Sequence, residues 1–330
     1  MNMNHPGLAL KWAARLALRA TFSSPAGPLA EHAVRSIARR APYTLPGRGV
    51  LVAELSRVKK EQLVAELLCG AKMSVPPIPE GVSVYLAGCL MGEEPTTNCL
   101  TCELEPGDCF LDIGANLGFY SLLAATRVGS AGQVHAFEPQ PALAAQLRRS
   151  VELNDFSERV TVNNVAVTDR DGETVELHLA EDQTRTGIAS IFAHEWLASV
   201  GMNVPTCNID SYVGTHPSAG TYVIKIDIEG AELMALRGMA GLLARAKTKL
   251  LVVELFPAYI EFPGGKRLLP DQNAATPLNV VSYLAHYGYE PRAINRNGSL
   301  GDALSLEKVV GLELTTNVAF VKARSLSRAH

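Results

Sequence analysis

A glycine-containing turn behind a short apolar run is the feature that most constrains the fold of this chain. The apolar residues Cys109-Phe110-Leu111 precede the turn Asp112-Ile-Gly114-Ala-Asn116-Leu-Gly118, and a helix-forming stretch from Phe119 to Arg127 follows it. A buried strand, a turn and a helix in this order bring backbone N–H groups to the edge of an open α/β sheet. Because glycine lacks a Cβ, a ligand can approach such a turn closely. The pattern predicts a ligand site on a doubly wound α/β fold.

The charge of the turn narrows the class of ligand. A dinucleotide site favours the spacing G-x-G-x-x-G, whereas Gly114 and Gly118 are spaced as G-x-x-x-G. Asp112 would repel a pyrophosphate, but a carboxylate pairs well with a ligand that carries an ammonium group and a sulfonium centre. S-adenosylmethionine has both groups. We therefore predict S-adenosylmethionine as the cofactor.

A second acidic residue stands where the next strand is predicted to end. Residues 133–137 are predicted to form a short strand, Glu138 follows them, and Pro139 and Pro141 open the next helix. An acid at this position can accept hydrogen bonds from both hydroxyls of a ribose, in nicotinamide and adenosylmethionine sites alike. Glu138 therefore favours a nucleoside ligand without separating the two cofactors, and a contact with the helix dipole is the alternative.

Two further acids end predicted strands later in the chain. A β-prone run ends at Asp227, and the apolar run 250–253 ends at Glu254. Ligands of open α/β sheets bind at the carboxyl ends of the strands, so both side chains should face one crevice. Paired carboxylates there favour acid–base or metal chemistry, although either could instead hold a neighbouring loop. Glu229 and Glu232 fit acids in the first turn of a helix, where they complement its dipole.

In combination, these motifs resemble the FkbM family of S-adenosylmethionine-dependent methyltransferases. The string Lys225-Ile-Asp227-Ile-Glu229-Gly230-Ala-Glu232 is the most specific of them, and the resemblance covers residues 104–323. It implies a class I methyltransferase (Rossmann-like) α/β fold, with a seven-stranded, mostly parallel sheet, an antiparallel last strand and helices on both faces. It also implies O-methylation of a hydroxyl on a natural product, sugar or glycan. The other motifs are Asp112-Ile-Gly-Ala-Asn-Leu-Gly118, Phe137-Glu138-Pro139, Asn164-Val-Ala166-Val167 and Val253-Glu254.

The resemblance also assigns a role to each motif. Residues 112–118 would hold the methionine portion of the cofactor, Glu138 the ribose, and Ala166-Val167 the adenine edge. The residues expected to contact the cofactor are Asp112, Gly114, Ala115, Asn116, Gly118, Phe119, Tyr120, Glu138, Pro139, Asn164, Ala166, Val167 and Asp227.

Methyl transfer from a sulfonium depends chiefly on alignment. It is an in-line displacement, so the protein must align the acceptor, the methyl carbon and the sulfur, and exclude water. A hydroxyl acceptor also benefits from a base, and Asp227 is the first candidate, with Glu229 and Glu254 behind it. Alternatively, Asp227 and Glu254 could bind a divalent cation that lowers the pKa of the hydroxyl. Two carboxylates are few for a metal site, so we favour a site without metal.

Two other functions stay open. An NAD(P)-dependent oxidoreductase would explain Glu138 and the sheet, but not Asp112, the missing third glycine or the acidic string after Asp227. The other alternative is not an enzyme but a noncatalytic ligand-binding or scaffolding protein with a methyltransferase fold. The intact motifs weigh against it. Calorimetry with adenosylmethionine and NAD would separate the two enzymes, and turnover would separate an enzyme from a scaffold.

The net charge of the chain and its distribution indicate which kinds of binding partner to expect. The chain has a net charge of −3, and residues 1–50 hold seven Lys or Arg against one Glu, so this arm carries +6 and the remainder −9. An acidic body with 6% aromatic residues gives no case for a nucleic-acid partner. The expected partner is a small-molecule or glycan hydroxyl acceptor. Peripheral membrane contact through residues 1–40 is an alternative that we do not favour.

Composition also predicts domains and location. We expect a mainly helical, partly flexible N-terminal extension over residues 1–80 and a methyltransferase-like domain over 81–330. The six cysteines are not spaced as a secreted disulfide framework, and Cys99-Leu-Thr-Cys102 lacks a second pair. These features favour free thiols and a cytoplasmic location, and no apolar run is long enough to cross a bilayer.

His135, inside a predicted strand, is expected to be a packed core residue.

Overall fold

A computed structural model describes residues 32, 34, 35, 52, 61–179, 189–192, 201–245, 247–255, 275–312 and 315–323. The chain divides into two compact units, Met1–Glu93 and Glu94–His330. Among the described helices, none is long and apolar enough to span a bilayer.

The first unit contains a β-hairpin followed by a helix. Strand β1 (Leu63–Glu66) pairs antiparallel with β2 (Lys72–Val75), and helix α1 (Pro79–Ala87) follows. Side chains of β1 alternate between buried and exposed, which is the pattern of a strand with one buried face. We expected a mainly helical extension over residues 1–80, and this expectation is wrong for 63–75. Most of residues 1–60, including the basic arm, lies outside the described residues.

The second unit is built on an eight-stranded sheet. Its strands, in chain order, are β3 (Cys109–Ile113), β4 (Gln133–Phe137), β5 (Val160–Asn163), β10 (Tyr222–Ile226), β11 (Thr248–Leu255), β12 (Tyr289–Ile294), β13 (Leu300–Ala303) and β14 (Thr316–Lys322). They lie in the order β13-β12-β14-β11-β10-β3-β4-β5. The strands from β11 to β5 are parallel, and β14 is antiparallel to β11 and β12.

This topology confirms the predicted class I methyltransferase fold, with one more strand than expected. The seven predicted strands include the antiparallel last strand. The eighth, β13, joins the edge because the chain turns back after Ile294 and pairs antiparallel with β12. Strand β5 ends at Asn163, and the nearby Ala166-Val167 pairs in a different sheet.

That different sheet has four short strands. They are β6 (Ala166–Val167), β7 (Thr174–Leu179), β8 (Ala189–Ser190) and β9 (Met202–Cys207), in the order β6-β9-β7-β8. Ala166, Leu177 and Val204 form its small apolar core.

Helices cover both faces of the main sheet, as the resemblance implied. They are α2 (Glu94–Glu103), α3 (Phe119–Val128), α4 (Pro141–Glu152), α5 (Ile209–Thr215), α6 (Glu232–Arg237), α7 (Ala240–Ala244), α8 (Pro277–His286) and α9 (Leu306–Val310). Alternate residues of β3 and β10, such as Leu111 and Ile224, pack with α5, α6 and α8 in one apolar cluster. Because side chains of a strand alternate between its faces, Asp112 and Lys225 lie on the opposite face.

All six cysteines are free thiols, and His135 is a packed core histidine, as predicted. His135 is 4% exposed, and its Nδ1 lies 2.9 Å from the hydroxyl of Tyr212, which also accepts a hydrogen bond from the Asn163 amide. Burial, together with the nearby His216, lowers the pKa of His135 to about 4. The imidazole is therefore neutral in the folded protein at pH 7.

This burial predicts a loss of stability in mild acid. In the unfolded chain a histidine takes up a proton near pH 6.5, whereas His135 does so only near pH 4. Above about pH 6.5 the histidine is neutral in both states and does not lower the free energy of unfolding. Below that pH the unfolded chain binds a proton that His135 does not, so the free energy of unfolding falls, by on the order of 3 kcal/mol at pH 4. Urea unfolding between pH 4.5 and 7.5 should show a flatter pH dependence for His135→Gln than for the wild type.

The control is His178→Gln, which removes a half-buried histidine from β7. Its free energy of unfolding should follow the wild-type pH dependence. Parallel curves for the wild type and His135→Gln would contradict the assignment.

Candidate active site

The acidic residues identified from the sequence lie at the carboxyl edge of the main sheet. In the register of the three central strands, Asp112 on β3 is the neighbour of Lys225 on β10, which is the neighbour of Val252 on β11. Glu254 lies two residues further along β11, and Glu138 directly follows β4. The side chains predicted to share a crevice therefore do lie at one edge.

The turn between β3 and α3 depends on glycine for close contacts within the protein. Gly114 and Gly118 have positive φ values of 84° and 90°. A Cβ on Gly114 would lie 1.8 Å from the carbonyl oxygen of Asp227, and one on Gly118 would lie 2.0 Å from Cδ1 of Leu147. From the sequence, these glycines were expected to let a ligand approach the backbone closely. The structure adds a second reason, since the protein itself occupies the space that a Cβ would need.

Asp112 is almost completely buried, and a protein hydroxyl contacts it. The Oγ of Ser121, on α3, donates a hydrogen bond of 2.6 Å to its Oδ2. Burial raises the pKa of Asp112, although the charge of Lys225 and the Ser121 hydrogen bond act against this. Its expected contact with the ammonium group of the cofactor stays a prediction.

Glu138 is held by the backbone on both carboxylate oxygens. Its Oε2 accepts a hydrogen bond from the N–H of Asn116 and its Oε1 one from the N–H of Gln140, each 2.8 Å long. The side chain is 4% exposed, and burial raises its pKa to about 7 despite these two bonds. Each carboxylate oxygen keeps a second lone pair, so the group can still accept from a ribose hydroxyl.

The loop around Glu138 contains other residues that we expected to contact the cofactor. The side-chain amide of Asn164 donates to the carbonyl oxygens of Glu138 and Pro139, both at 2.8 Å, and so fixes this loop. The Oδ1 of Asn116 is buried and has no hydrogen-bond partner among the described residues. An orphaned acceptor beside a buried carboxylate fits a ligand with hydroxyl or ammonium donors, as S-adenosylmethionine has.

The remaining residues of this set are apolar and buried. Phe119 and Tyr120 open α3 with their rings edge to face, 5.2 Å between centroids. Ala166 and Val167 are buried in β6, beside the end of β5. These side chains can exclude water from a bound nucleoside.

Three carboxyl groups come together at the ends of β10 and β11. Asp227, Glu229 and Glu254 each place one oxygen within 4.8 Å of the others. The Nζ of Lys225 lies 2.6 Å from Oδ2 of Asp227 and 4.9 Å from the centre of the Tyr120 ring. We call Asp227, Glu229 and Glu254 the carboxyl cluster. No role of Lys225 was predicted from the sequence, although a lysine within the apolar strand 222–226 is a signal of a buried charge.

Charge is distributed unevenly within the carboxyl cluster. Burial acts to raise the pKa of Asp227, but the Lys225 ammonium and a hydrogen bond with Glu254 hold it below its usual value. Burial and the negative charge of Asp227 raise the pKa of Glu254 far above its usual range. The same two causes raise the pKa of Glu229 to about 8. These directions favour the ionised form of Asp227 and the protonated form of Glu254.

The turn that carries Glu229 is fixed by hydrogen bonds from two sides. Glu229 has a positive φ of 53°, and its carbonyl oxygen accepts a hydrogen bond of 2.8 Å from the Oγ of Ser190 on β8. The Oε1 of Glu232 accepts from the N–H groups of Ile228 and Gly230. Glu232 was expected to complement a helix dipole. It is fully buried and holds the preceding turn in place.

The spacing of the carboxyl cluster would suit a shared cation, since carboxylate oxygens are the ligands of hard metal ions. The Lys225 ammonium already lies against Asp227 and supplies positive charge there. The site without metal that we favoured from the sequence stays a prediction.

A comparison with protein families identifies the chain. The model described as "Methyltransferase FkbM domain" matches residues 112–291, more than half of the chain and all the motifs from Asp112 to Glu254.

Two curated relatives are similar to the chain. Hexuronic acid methyltransferase AglP of Haloferax volcanii is 26% identical over 161 residues, which cover 47% of this chain and 59% of the relative. 31-O-demethyl-FK506 methyltransferase FkbM of Streptomyces tacrolimicus is 28% identical over 144 residues, which cover 42% and 54%. The chain thus spans less than two thirds of either relative.

Two solved structures are also similar to it. Methyltransferase FkbM from Methylobacillus flagellatus is 14% identical, with a TM-score of 0.37 over 88% of this chain and 58% of that one. A SAM-dependent methyltransferase from Aquifex aeolicus is 14% identical, with a TM-score of 0.34 over 69% and 92%.

The family match covers the glycine-containing turn, Glu138 and the carboxyl cluster together. It confirms the prediction of S-adenosylmethionine as the cofactor. The chain belongs to the FkbM family of methyltransferases.

Proposed function

We propose that the protein transfers the methyl group of S-adenosylmethionine to a hydroxyl group of a sugar or another natural product. The observation that carries this proposal is the contact of 2.6 Å between the Asp227 carboxylate and the Lys225 ammonium, at the same sheet edge as Glu138, whose carboxylate would bind the ribose of the cofactor. The names of the two relatives support a sugar or natural product as the acceptor, since one is a hexuronic acid methyltransferase and the other a 31-O-demethyl-FK506 methyltransferase; of the two names, the second specifies an O-methylation position.

The residues of the β3–α3 turn and of the β4 end would bind the cofactor. Glu138 would accept the ribose hydroxyls while the N–H groups of Asn116 and Gln140 hold its carboxylate in place. The orphaned Oδ1 of Asn116 would accept from a further donor of the ligand. When bound, S-adenosylmethionine supplies an electrophilic methyl group. The protein's task is then to hold the acceptor in line with it and to keep water out.

Asp227 would accept the proton of the acceptor hydroxyl. It is the carboxyl group that stays ionised, because Lys225 lies 2.6 Å from it. Its side chain keeps about a quarter of its surface exposed (24%), so an acceptor can reach it. Glu229, with a pKa of about 8, and the protonated Glu254 are less suited to receive a proton at neutral pH. General bases accelerate such steps by about 10²–10⁴-fold.

The test of the proposed function is turnover. The protein is incubated with labelled S-adenosylmethionine and with panels of hexuronic acids, neutral sugars and macrolide alcohols. The expected result is equal amounts of S-adenosylhomocysteine and methyl ether with one of these panels. Calorimetry with NAD is the control for the oxidoreductase alternative. Binding of NAD in place of S-adenosylmethionine would contradict the proposal.

The cofactor half of the proposal predicts a loss of affinity in Glu138→Ala. Removing the carboxylate that accepts from the ribose hydroxyls should weaken S-adenosylmethionine binding by about 1.5–3 kcal/mol at a pH above the Glu138 pKa of about 7, where this group is ionised. Calorimetry measures the dissociation constant, and a thermal melt verifies that the variant is folded. Glu152→Ala, which removes an exposed acid from the end of α4, is the control and should bind like the wild type. An unchanged affinity in a folded Glu138→Ala variant would remove Glu138 from the site.

The base role predicts a selective loss of turnover in Asp227→Asn. The variant keeps the size of the side chain, so S-adenosylmethionine should still bind, while turnover falls by about 10²–10⁴-fold. Asp302→Asn, at an exposed position on β13, is the control and should turn over normally. Chelators should leave the wild-type rate unchanged.

Two results would speak against this role. Normal turnover of Asp227→Asn would make the carboxylate structural. Loss of wild-type activity on chelation, with recovery on adding a divalent cation, would replace the base with a metal.

A further inference from the structure

Lys225 is a buried cation at the centre of the sheet. It is 2% exposed and belongs to β10, which lies between β3 and β11. A lysine in such a position is costly to bury unless negative groups surround it. The position of Lys225 therefore indicates that its charge has a use at this site.

Negative or titratable groups face the Lys225–Asp227 pair from each element around it. Asp112 lies beside Lys225 in register on β3, and the ring face of Tyr120 on α3 lies 4.9 Å from its ammonium. Glu229 and Glu254 complete the carboxyl cluster with Asp227, and the buried Glu232 follows in the same turn. The position of the Lys225 ammonium can therefore determine which of these acids is ionised.

One of these acids is in direct contact with the ammonium. The ammonium lies 2.6 Å from Asp227 Oδ2. Like charges at the distances within the carboxyl cluster repel each other, so all three groups do not ionise together. We propose that Lys225 is a positioning residue that assigns the negative charge to Asp227 and leaves the proton on Glu254. This inference rests on the proposed function, because the assignment matters to catalysis only if Asp227 accepts the proton of a hydroxyl.

The proposal gives Lys225 a role that a purely structural lysine would not have. Without the ammonium, Asp227 loses the charge that favours its ionised form, and it competes with Glu229 and Glu254 for the remaining negative charge. An opposite charge at this distance lowers the pKa of a carboxyl group by about 1–3 units. Removal of Lys225 should therefore change the pH at which the site loses its base, and not only the amount of active enzyme.

The first experiment compares the pH dependence of turnover in Lys225→Met and in the wild type. Methionine has a similar length and no charge. The pH below which activity falls should rise by about 1–3 units, and activity should partly recover at higher pH. The shift is upwards because Asp227 must be ionised to act as the base. In the wild type its pKa is held below the usual value, so the base is present over a wide pH range. A higher pKa in the variant restricts the ionised base to more alkaline solutions.

Two variants serve as controls. Lys249→Met removes a lysine from the amino end of β11, where it pairs with Asp108 at 2.9 Å and Glu105 at 3.3 Å. Its pH profile should match that of the wild type. Lys225→Arg restores the positive charge and should return the profile towards the wild-type position. A loss of activity in Lys225→Met that is the same at every pH would overturn the proposal. So would a pH profile of Lys225→Arg that is identical to that of Lys225→Met.

The second experiment needs no acceptor and no activity. Protein labelled with ¹³C at the Asp and Glu side-chain carboxyl groups is titrated by NMR, and the resonances are assigned with Asp227→Asn and Glu254→Gln. In the wild type at pH 7, Asp227 should be ionised and Glu254 protonated. The reverse assignment would overturn the proposal even if Lys225→Met fails to fold.

The two experiments separate two kinds of failure. If no hydroxyl acceptor is methylated while the carboxyl titration is as described, the proposed function fails and the role of Lys225 in setting the charge stands. If methylation occurs but the titration of Asp227 is unchanged in Lys225→Met, the inference about Lys225 fails alone.

Discussion

The contact between a buried ammonium and a carboxylate at the end of β10 is the interaction on which the rest of the site depends. Removing a lysine from water costs several kcal/mol, and its attraction to a partly buried carboxylate often does no more than offset this cost. A hydrophobic pair would serve the stability of the sheet as well. The 2.6 Å contact between Lys225 and Asp227 is therefore better explained by the chemistry of the site.

The same contact links the two halves of the site. Asp227 donates its backbone N–H to the carbonyl oxygen of Ile113, and its own carbonyl oxygen occupies the space that a Cβ on Gly114 would fill. From that turn, the N–H of Asn116 reaches Glu138. The proposed base and the proposed ribose acceptor are thus joined through one short turn, and a shift of either would be transmitted to the other.

The sequence predicted most of the main sheet and the positions of its acidic residues, because both depend on local patterns. Apolar runs that end in Asp112, Asp227 and Glu254 did form neighbouring parallel strands. The contacts that could not be predicted are long-range: the register that sets Lys225 beside Asp112, and the protein contacts that require glycine in the first turn. The hairpin at 63–75 was missed because its short strands alternate too briefly to stand out from a helical pattern.

A crystal structure of the complex with S-adenosylhomocysteine tests the central claim most directly. We predict that the two ribose hydroxyls donate to the Glu138 carboxylate and that the sulfur faces the crevice bordered by Asp227, with Lys225 still in contact with Asp227. A nucleoside bound away from Glu138, or a sulfur turned away from the carboxyl cluster, would contradict the account.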